Sequence, residues 1–503
     1  MIVKHEKRES SADASRAWNT GAGRRAARCA AGEGAVADII DELSWRGLVA
    51  ISTDLDELRA AFASGQVTAY GGFDPTAPGL HIGNLVLLIT LRRLQLAGHR
   101  PIGLVGGATG LIGDPSGKSA ERMLNPREVV AEWTARLRAE IGRILDFSPG
   151  RSSALLVSNL DWTQDLPTLD FLRDIGKHFP VNQMLARESV RARLEGSGIT
   201  YTEFSYQLLQ AMDYLELYRR HGCGLQVDGS DQWGNLVGGV DLIRRVEGAT
   251  VHALATPLIT KPDGTKYGKT EGGAIWISPD LMSPYAFYQF WINRADAEVG
   301  ELLRVFTFRT REQIAELELA TAQHPAAREA QRVLAQDVTT LVHGAEECAR
   351  AEAASRALFG QGDLGALDEA TLAAALDEVP ATAVQVPAPL QAVADPNGSR
   401  GETALDAARP GSRSVLSNAG PVQAEPRIPA VSELMARTGI VGSRSAARRA
   451  IAEGGAYLNN RRVTDADEVP AAKDLLHGRF LVLRRGRRTV GGVEVLVSGR
   501  SPA

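Results

Sequence analysis

Cysteine is scarce: three residues in 503, Cys29, Cys223 and Cys348, far apart and without a CxxC pair. That argues against a disulfide framework and a cysteine zinc site, and makes a reducing cytoplasm the expected setting. No apolar run approaches the roughly 18 residues a membrane-spanning helix needs, so no membrane partner is expected. The N-terminal stretch lacks the apolar core of a secretory signal, and no internal repeat points to a solenoid or propeller. What is present is ordinary globular stock, 44 % hydrophobic and 23 % charged, long enough for about three domains. The net charge of −4 is unevenly spread. From Glu425 to Ala503 there are 14 basic and 8 acidic residues, and a basic tail on an acidic body implies a polyanionic partner for the tail.

Residues 1–36 are rich in Ser, Ala, Gly and Arg without apolar periodicity and are expected to be disordered. A transit peptide is opposed by Glu6, Glu9, Asp13 and Glu33, and a start upstream of the true first residue would serve as well. Ala37–Arg46 reads as an amphipathic helix. A strand at Val67–Phe73, a helix at Ile82–Ala97 and a second strand at Pro101–Val105 make a βαβ unit, hence a parallel sheet with a right-handed crossover. Ala154–Ser158 and Gly224–Val227 add strands, with covering helices at Val129–Leu145, Pro180–Arg193 and Phe204–His221. The predicted fold class is therefore α/β, a Rossmann-like parallel-sheet domain over residues 37–283. An all-helical region follows over 284–386, then a Pro/Gly/Ser-rich linker over 387–426. A small, basic α+β domain over 427–503 closes the chain.

Four segments carry chemistry. The turn Asp74-Pro75-Thr76-Ala77-Pro78-Gly79-Leu80-His81-Ile82-Gly83-Asn84 joins the first strand to its helix, at the carboxyl edge where parallel sheets bind ligands. The helix start there favours an anion, and Thr76, His81 and Asn84 supply donors; taken alone, such a His is more often structural than catalytic. The glycine-rich Gly106–Ser119 suggests a phosphate loop, but only three residues separate Gly113 from Gly117, and Pro115 removes a donor, so a Walker A loop is excluded. Lys118 and Arg122 remain available to phosphates. Thr265-Lys266-Tyr267-Gly268-Lys269-Thr270 is either a solvated turn or a cationic loop suited to a polyphosphate leaving group. In Phe204–Asp213, Tyr206, Gln210 and Asp213 share one helix face, a polar stripe on an apolar helix. Asp231-Gln232-Trp233-Gly234-Asn235 closes another strand with groups suited to a ribose or carboxylate.

No segment decides alone, but their order does. Asp74–Asn84 resembles the HIGH signature of class I aminoacyl-tRNA synthetases, and Lys266–Thr270 resembles the KMSKS loop in the form found in bacterial tyrosyl-tRNA synthetases. Phe204–Asp213 and Asp231–Asn235 are similar to that family's tyrosine- and ribose-binding segments. The resemblance implies a class I catalytic domain over 37–283, a helical anticodon-side domain over 284–386 and an S4-like RNA-binding domain over 427–503. It implies ATP as substrate with Mg2+, no zinc, and L-tyrosine and tRNA(Tyr) as partners of a homodimer that binds no DNA. By position, Tyr70 and Asp213 would take the tyrosine hydroxyl, Asp114, Tyr206 and Gln210 its ammonium, and Gln232 its carboxylate. Gly72, Asp74, Gly83, Asn84 and Asp231 would line the ATP site, with Asp231 on the ribose. Thr76 and His81 would contact the γ-phosphate, and Lys118, Arg122, Lys266, Lys269 and Thr270 the departing pyrophosphate. Asn84 stands where the signature usually has His. In the tail, Arg444, Arg448 and Arg449 on one helical segment and Arg461 and Arg462 after it are the expected RNA contacts. Tryptophan in place of tyrosine, an RNA-binding module with a degenerate nucleotide fold, and a phosphate-loop ATPase are the alternatives.

Overall fold

The computed structural model describes residues 38–116, 124–259, 274–387 and 428–498. The head over 1–36, the linker over 387–426 beyond Pro387, and Lys118, Arg122, Lys266, Lys269 and Thr270 lie outside the described residues. The chain divides into two compact units, residues 1–351 and 352–503.

The first unit is built on a six-stranded sheet, β1 (Ile51–Ser52), β2 (Thr68–Phe73), β3 (Arg100–Val105), β4 (Leu155–Ser158), β5 (Cys223–Gly229) and β6 (His252–Thr256). Their order across the sheet is β1-β6-β5-β2-β3-β4. All neighbours are parallel except β1, which runs antiparallel to β6. The chain steps from β2 outward to β4, then returns to start β5 on the other side of β2. The strand order therefore reverses at β2/β5, and a crevice opens at the carboxyl ends there. Helices α1 (Ile82–Leu96), α2 (Arg127–Ile144), α3 (Tyr201–His221) and α4 (Trp233–Glu247) cover the sheet. Gly71 permits α1 to sit close on β2: a Cβ there would stand 3.0 Å from Leu87 Cγ. α3 is capped by the Thr200 hydroxyl, which accepts from Glu203 N–H, and ends at Gly222 with φ +61°. Beneath it Tyr70, Ile102, Leu104, Met212, Tyr214 and Leu215 form one buried cluster.

Two readings of the sequence need correction. The helix expected over Pro180–Arg193 is two short helices, Val181–Leu185 and Glu188–Leu194. Arg187 breaks it: its backbone is extended, and its guanidinium lies against Gly238 of α4, where a Cβ would be 2.8 Å from Nη2. The helical pattern runs from Pro284–Ile292 to Glu369–Asp377 as expected, but the end of the region assigned to it, Ala381–Pro387, is a strand.

The second unit carries a sheet ordered β7-β11-β10-β8-β9, from β7 (Ala381–Pro387), β8 (Ala456–Leu458), β9 (Arg461–Arg462), β10 (Phe480–Arg485) and β11 (Thr489–Ser498). β7 pairs in parallel with β11, so the segment before the linker joins the sheet formed after it. Its alternation of small and valine residues explains the placement, since Val384 enters the core shared by Val431, Leu434, Ile451, Leu483 and Val493. Helices α5 (Val431–Arg437) and α6 (Arg444–Ala452) precede the strands, with Ser443 capping α6.

Candidate active site

A cavity of about 460 Å3 opens at the β2/β5 crevice. Its lining includes Tyr70, Gly72, Asp74, Thr76, His81, Gly83, Asn84, Asp114, Tyr206, Gln210, Asp213, Asp231 and Gln232. Every described residue that the sequence assigned to tyrosine or ATP is therefore in one place.

The inner end is a chain of hydrogen bonds with one polarity. Asn159 is 1 % exposed; its Nδ2 donates to Asp213 Oδ2 (2.9 Å) and to Thr109 Oγ1 (2.8 Å), while its Oδ1 accepts from Ala108 N–H (2.7 Å). The Thr109 hydroxyl donates in turn to Asp74 Oδ1 (2.6 Å), and the Tyr206 hydroxyl to Asp74 Oδ2 (2.7 Å). Trp162 Nε1 donates to Asp213 Oδ1 (2.8 Å). Two carboxylates are thus held from behind by neutral donors that cannot turn without losing a partner. Burial pushes the Asp213 carboxyl up to about 7, against the pull of Asn159 and Trp162. The Tyr70 hydroxyl and Gln210 Oε1 are buried without a partner in the protein. Unpaired buried polar atoms beside a cavity are costly unless a ligand completes them.

Acid crowds the middle of the cavity. Asp114 accepts from Gln232 Nε2 (2.6 Å) and Ser116 N–H (2.9 Å). Asp228, at the end of β5, is raised well above the carboxylate range by burial and by the charges of Asp231, Asp114 and Asp74. Burial likewise holds Tyr206 protonated, and Asp74 and Asp114 reinforce it. This group of carboxylates is complementary to a compact cation such as an α-ammonium. Gln232 uses its Oε1 to accept from Asn235 Nδ2 (2.9 Å), so it is fixed between Asp114 and α4.

At the open end, backbone geometry sets the turn. His81 caps α1: its Nδ1 accepts from Gly83 N–H (3.1 Å), so the ring proton resides on Nε2. A Cβ on Gly83 would stand 2.9 Å from the His81 ring. Asn84 returns the bond, its Oδ1 accepting from His81 N–H (3.0 Å). Asn84, which stands where the signature usually has His, thus serves here as the acceptor that completes the cap. The turn is anchored by Glu140 of α2, which accepts from Leu80 N–H (2.7 Å), and by Ile82 N–H to Ile275 O and Ile277 N–H to Leu80 O, both 2.9 Å. Sequence reasoning missed Asn159, Trp162 and Glu140, which sit in no motif and act through partners distant in the chain; it also gave no role to Thr109, although it lies within the glycine-rich Gly106–Ser119 segment, or to Asp228.

The family model described as "tRNA synthetases class I (W and Y)" matches residues 63–360, and that described as "Tyrosine--tRNA ligase SYY-like C-terminal domain" matches residues 415–490. A curated tyrosine--tRNA ligase of Streptomyces avermitilis is 57 % identical over 460 residues, covering 91 % of this chain and 99 % of its own. The corresponding ligase of Mycobacterium tuberculosis is 53 % identical over 457 residues, covering 91 % and 98 %. The chain belongs to the tyrosyl-tRNA synthetases.

The first match alone leaves tryptophan and tyrosine open; the second and the curated relatives are of the tyrosine type. Among solved structures, the C-terminally truncated mitochondrial tyrosyl-tRNA synthetase of Aspergillus nidulans superposes with a TM-score of 0.59 at 29 % identity, covering 66 % of this chain and 98 % of that one. The class I layout of parallel sheet, helices and small C-terminal sheet domain is that expected of a tyrosyl-tRNA synthetase. No helix of the described residues is long and apolar enough to cross a membrane.

Proposed function

We propose that the cavity seats L-tyrosine at its Asp213 end and Mg-ATP along the Asp74–Asn84 turn. There the tyrosine carboxylate displaces pyrophosphate to give tyrosyl-adenylate. The tyrosyl group then passes to the 3'-terminal adenosine of tRNA(Tyr), held in part by the S4-like tail. The observation that carries this reading is the inner end: a buried carboxylate fixed by two donors, Asn159 and Trp162, beside a buried tyrosine hydroxyl with no partner. A phenol supplies what both lack, since its O–H donates to Asp213 and its oxygen accepts from Tyr70.

The remaining roles follow the chemistry. Asp114 and Gln210 take the ammonium with Tyr206, whose bond to Asp74 keeps it oriented. Gln232 lies nearest the carboxylate and Asp231 the ribose, with Gly72 leaving room beside β2, where a Cβ would meet nothing. Thr76 and the His81 Nε2–H stabilise charge on the triphosphate, and Lys118, Arg122, Lys266, Lys269 and Thr270 take up the leaving pyrophosphate. Mg2+ belongs here as the counterion of the nucleotide phosphates. No side chain has to act as nucleophile, because the substrate carboxylate is already ionised; the protein contributes position and charge stabilisation. The chain works as a cytoplasmic homodimer in this reading.

The test is ATP–pyrophosphate exchange with tyrosine, phenylalanine and tryptophan offered separately. Exchange with tyrosine alone is expected. Exchange with tryptophan, or with phenylalanine at a comparable rate, overturns the assignment of Tyr70 and Asp213.

A further inference from the structure

One carboxyl of the cavity has no part in the reading above. Asp228 stands at the carboxyl end of β5 and lines the cavity. The sheet fixes its backbone: it lies opposite Ala255 of β6, and its carbonyl accepts from the Thr256 hydroxyl (3.2 Å). Its side chain is only half engaged. Oδ1 accepts from Gly229 N–H (2.8 Å), whereas Oδ2 has no hydrogen-bond partner among the described residues.

The groups whose charge acts on it most strongly, Asp231, Asp114 and Asp74, are all acids. They face it from the turn after β5, the glycine-rich segment after β3 and the turn after β2. The phenols of Tyr70 on β2 and Tyr206 on α3 lie within reach of its field as well. β6 contributes the neutral Thr256 hydroxyl. A carboxylate in this company meets repulsion, and burial opposes it further, so the neutral acid is the form that persists. Because Oδ1 accepts a backbone N–H, the proton of that acid belongs on Oδ2, which leaves an O–H donor at the cavity wall.

The place of this donor selects its partner. In tyrosyl-adenylate the ammonium and the ribose are separated by the carboxyl carbon and the α-phosphate. Asp228 interacts with Asp114 and Tyr206 on the ammonium side and with Asp231 on the ribose side. It therefore lies against the junction between them, which in the bound substrates begins at the tyrosine carboxylate. Gln232, the residue given to that carboxylate, already commits an amide hydrogen to Asp114 (2.6 Å). We infer that Asp228 is a further tyrosine-binding residue, a neutral carboxylic acid whose O–H donates to the substrate carboxylate. The inference deepens the proposed seating of L-tyrosine and rests on it.

The experiment compares L-tyrosine with L-tyrosinol, which keeps the ammonium and the phenol but carries a hydroxymethyl group in place of the carboxylate. Calorimetry gives Kd of each ligand for the full chain and for its Asp228→Ala and Asp228→Asn variants. Asp228→Ala is expected to weaken tyrosine about tenfold or more, the loss of a hydrogen bond to a charged group, with tyrosinol within about twofold. KM for tyrosine in pyrophosphate exchange should rise in parallel. Asp228→Asn keeps an acceptor for Gly229 N–H and an N–H donor where Oδ2 stood, so tyrosine should bind within about threefold of the parent. Equal losses of both ligands in Asp228→Ala would assign the residue to packing or to the ammonium and overturn the inference. Tyrosine binding that is unchanged or tighter in Asp228→Ala overturns it too, the tighter case being that of an ionised Asp228 repelling the carboxylate. A parent that binds neither ligand overturns the seating of tyrosine itself, a failure distinct from any in the variants.

Discussion

The two ends of the cavity hold their ligand groups by different means. At the inner end side chains hold side chains: Asp213 is oriented by Asn159 and Trp162, and Asp74 by Thr109 and Tyr206, in a buried to half-buried network. At the open end the backbone does the holding, with His81 and Asn84 fixed as the reciprocal cap of α1. In the proposed reading the inner end recognises a group of fixed shape present throughout the reaction, and the outer end faces a triphosphate whose charge shifts as the bond breaks, where donors contribute most if they match the transition state. Damage at the inner end should therefore appear in amino-acid selection, and damage at the outer end in turnover.

The largest effect is expected from Asn159→Ala. It removes a donor from Asp213 and from Thr109 at once, so kcat/KM for tyrosine in pyrophosphate exchange should fall roughly thirtyfold, equivalent to about 2 kcal/mol, while phenylalanine changes little. An equal loss with both amino acids would place the defect in folding rather than recognition. Gly83→Ala should come next. Its Cβ crowds the His81 ring, so kcat should drop about tenfold with KM for tyrosine within about twofold; steady-state exchange at varied tyrosine resolves the two. If KM rises instead, the ends are not separable.

A third effect is one of pH and is read on stability, not on turnover. The folded Asp213 carboxyl titrates near 7, above its ordinary value of 3.8. Between those values the unfolded chain has released a proton that the folded chain keeps, so this group's contribution to stability declines as pH rises from about 4 through 7 and is level above. Asp213→Asn removes that decline. Thermal unfolding should show the variant gaining on the parent between pH 5 and pH 8; a constant difference would mean that Asp213 is not buried as described.

Much of this was legible in the residues. The βαβ unit from Thr68 to Val105 follows from apolar spacing, and the Asp74–Asn84 turn from its place between strand and helix. β6 was missed because His252–Thr256 is short and buried throughout, with no alternation to mark it. β7 was missed because its partner β11 lies beyond the linker. In the site, residues aligned along α3 or within one turn were found from spacing, whereas Asn159 and Trp162 reach Asp213 only through packing. The same reason hid Glu433, Asp467 and Glu468, the acids facing Arg444, Arg448 and Arg461: charge counts along a chain do not show which charges meet.

The short pairing of Leu80 and Ile82 with Ile275 and Ile277 has a consequence for biosynthesis. The turn bearing His81 is translated early, yet the segment that clamps it is made only after all six strands of the sheet. A nascent chain halted before residue 277 would carry the whole sheet and most of the tyrosine pocket with an unclamped catalytic turn. On the proposed reading of the turn, a chain ending before residue 277 should fail in adenylate formation although the sheet is complete, and one extended past the clamp should recover it.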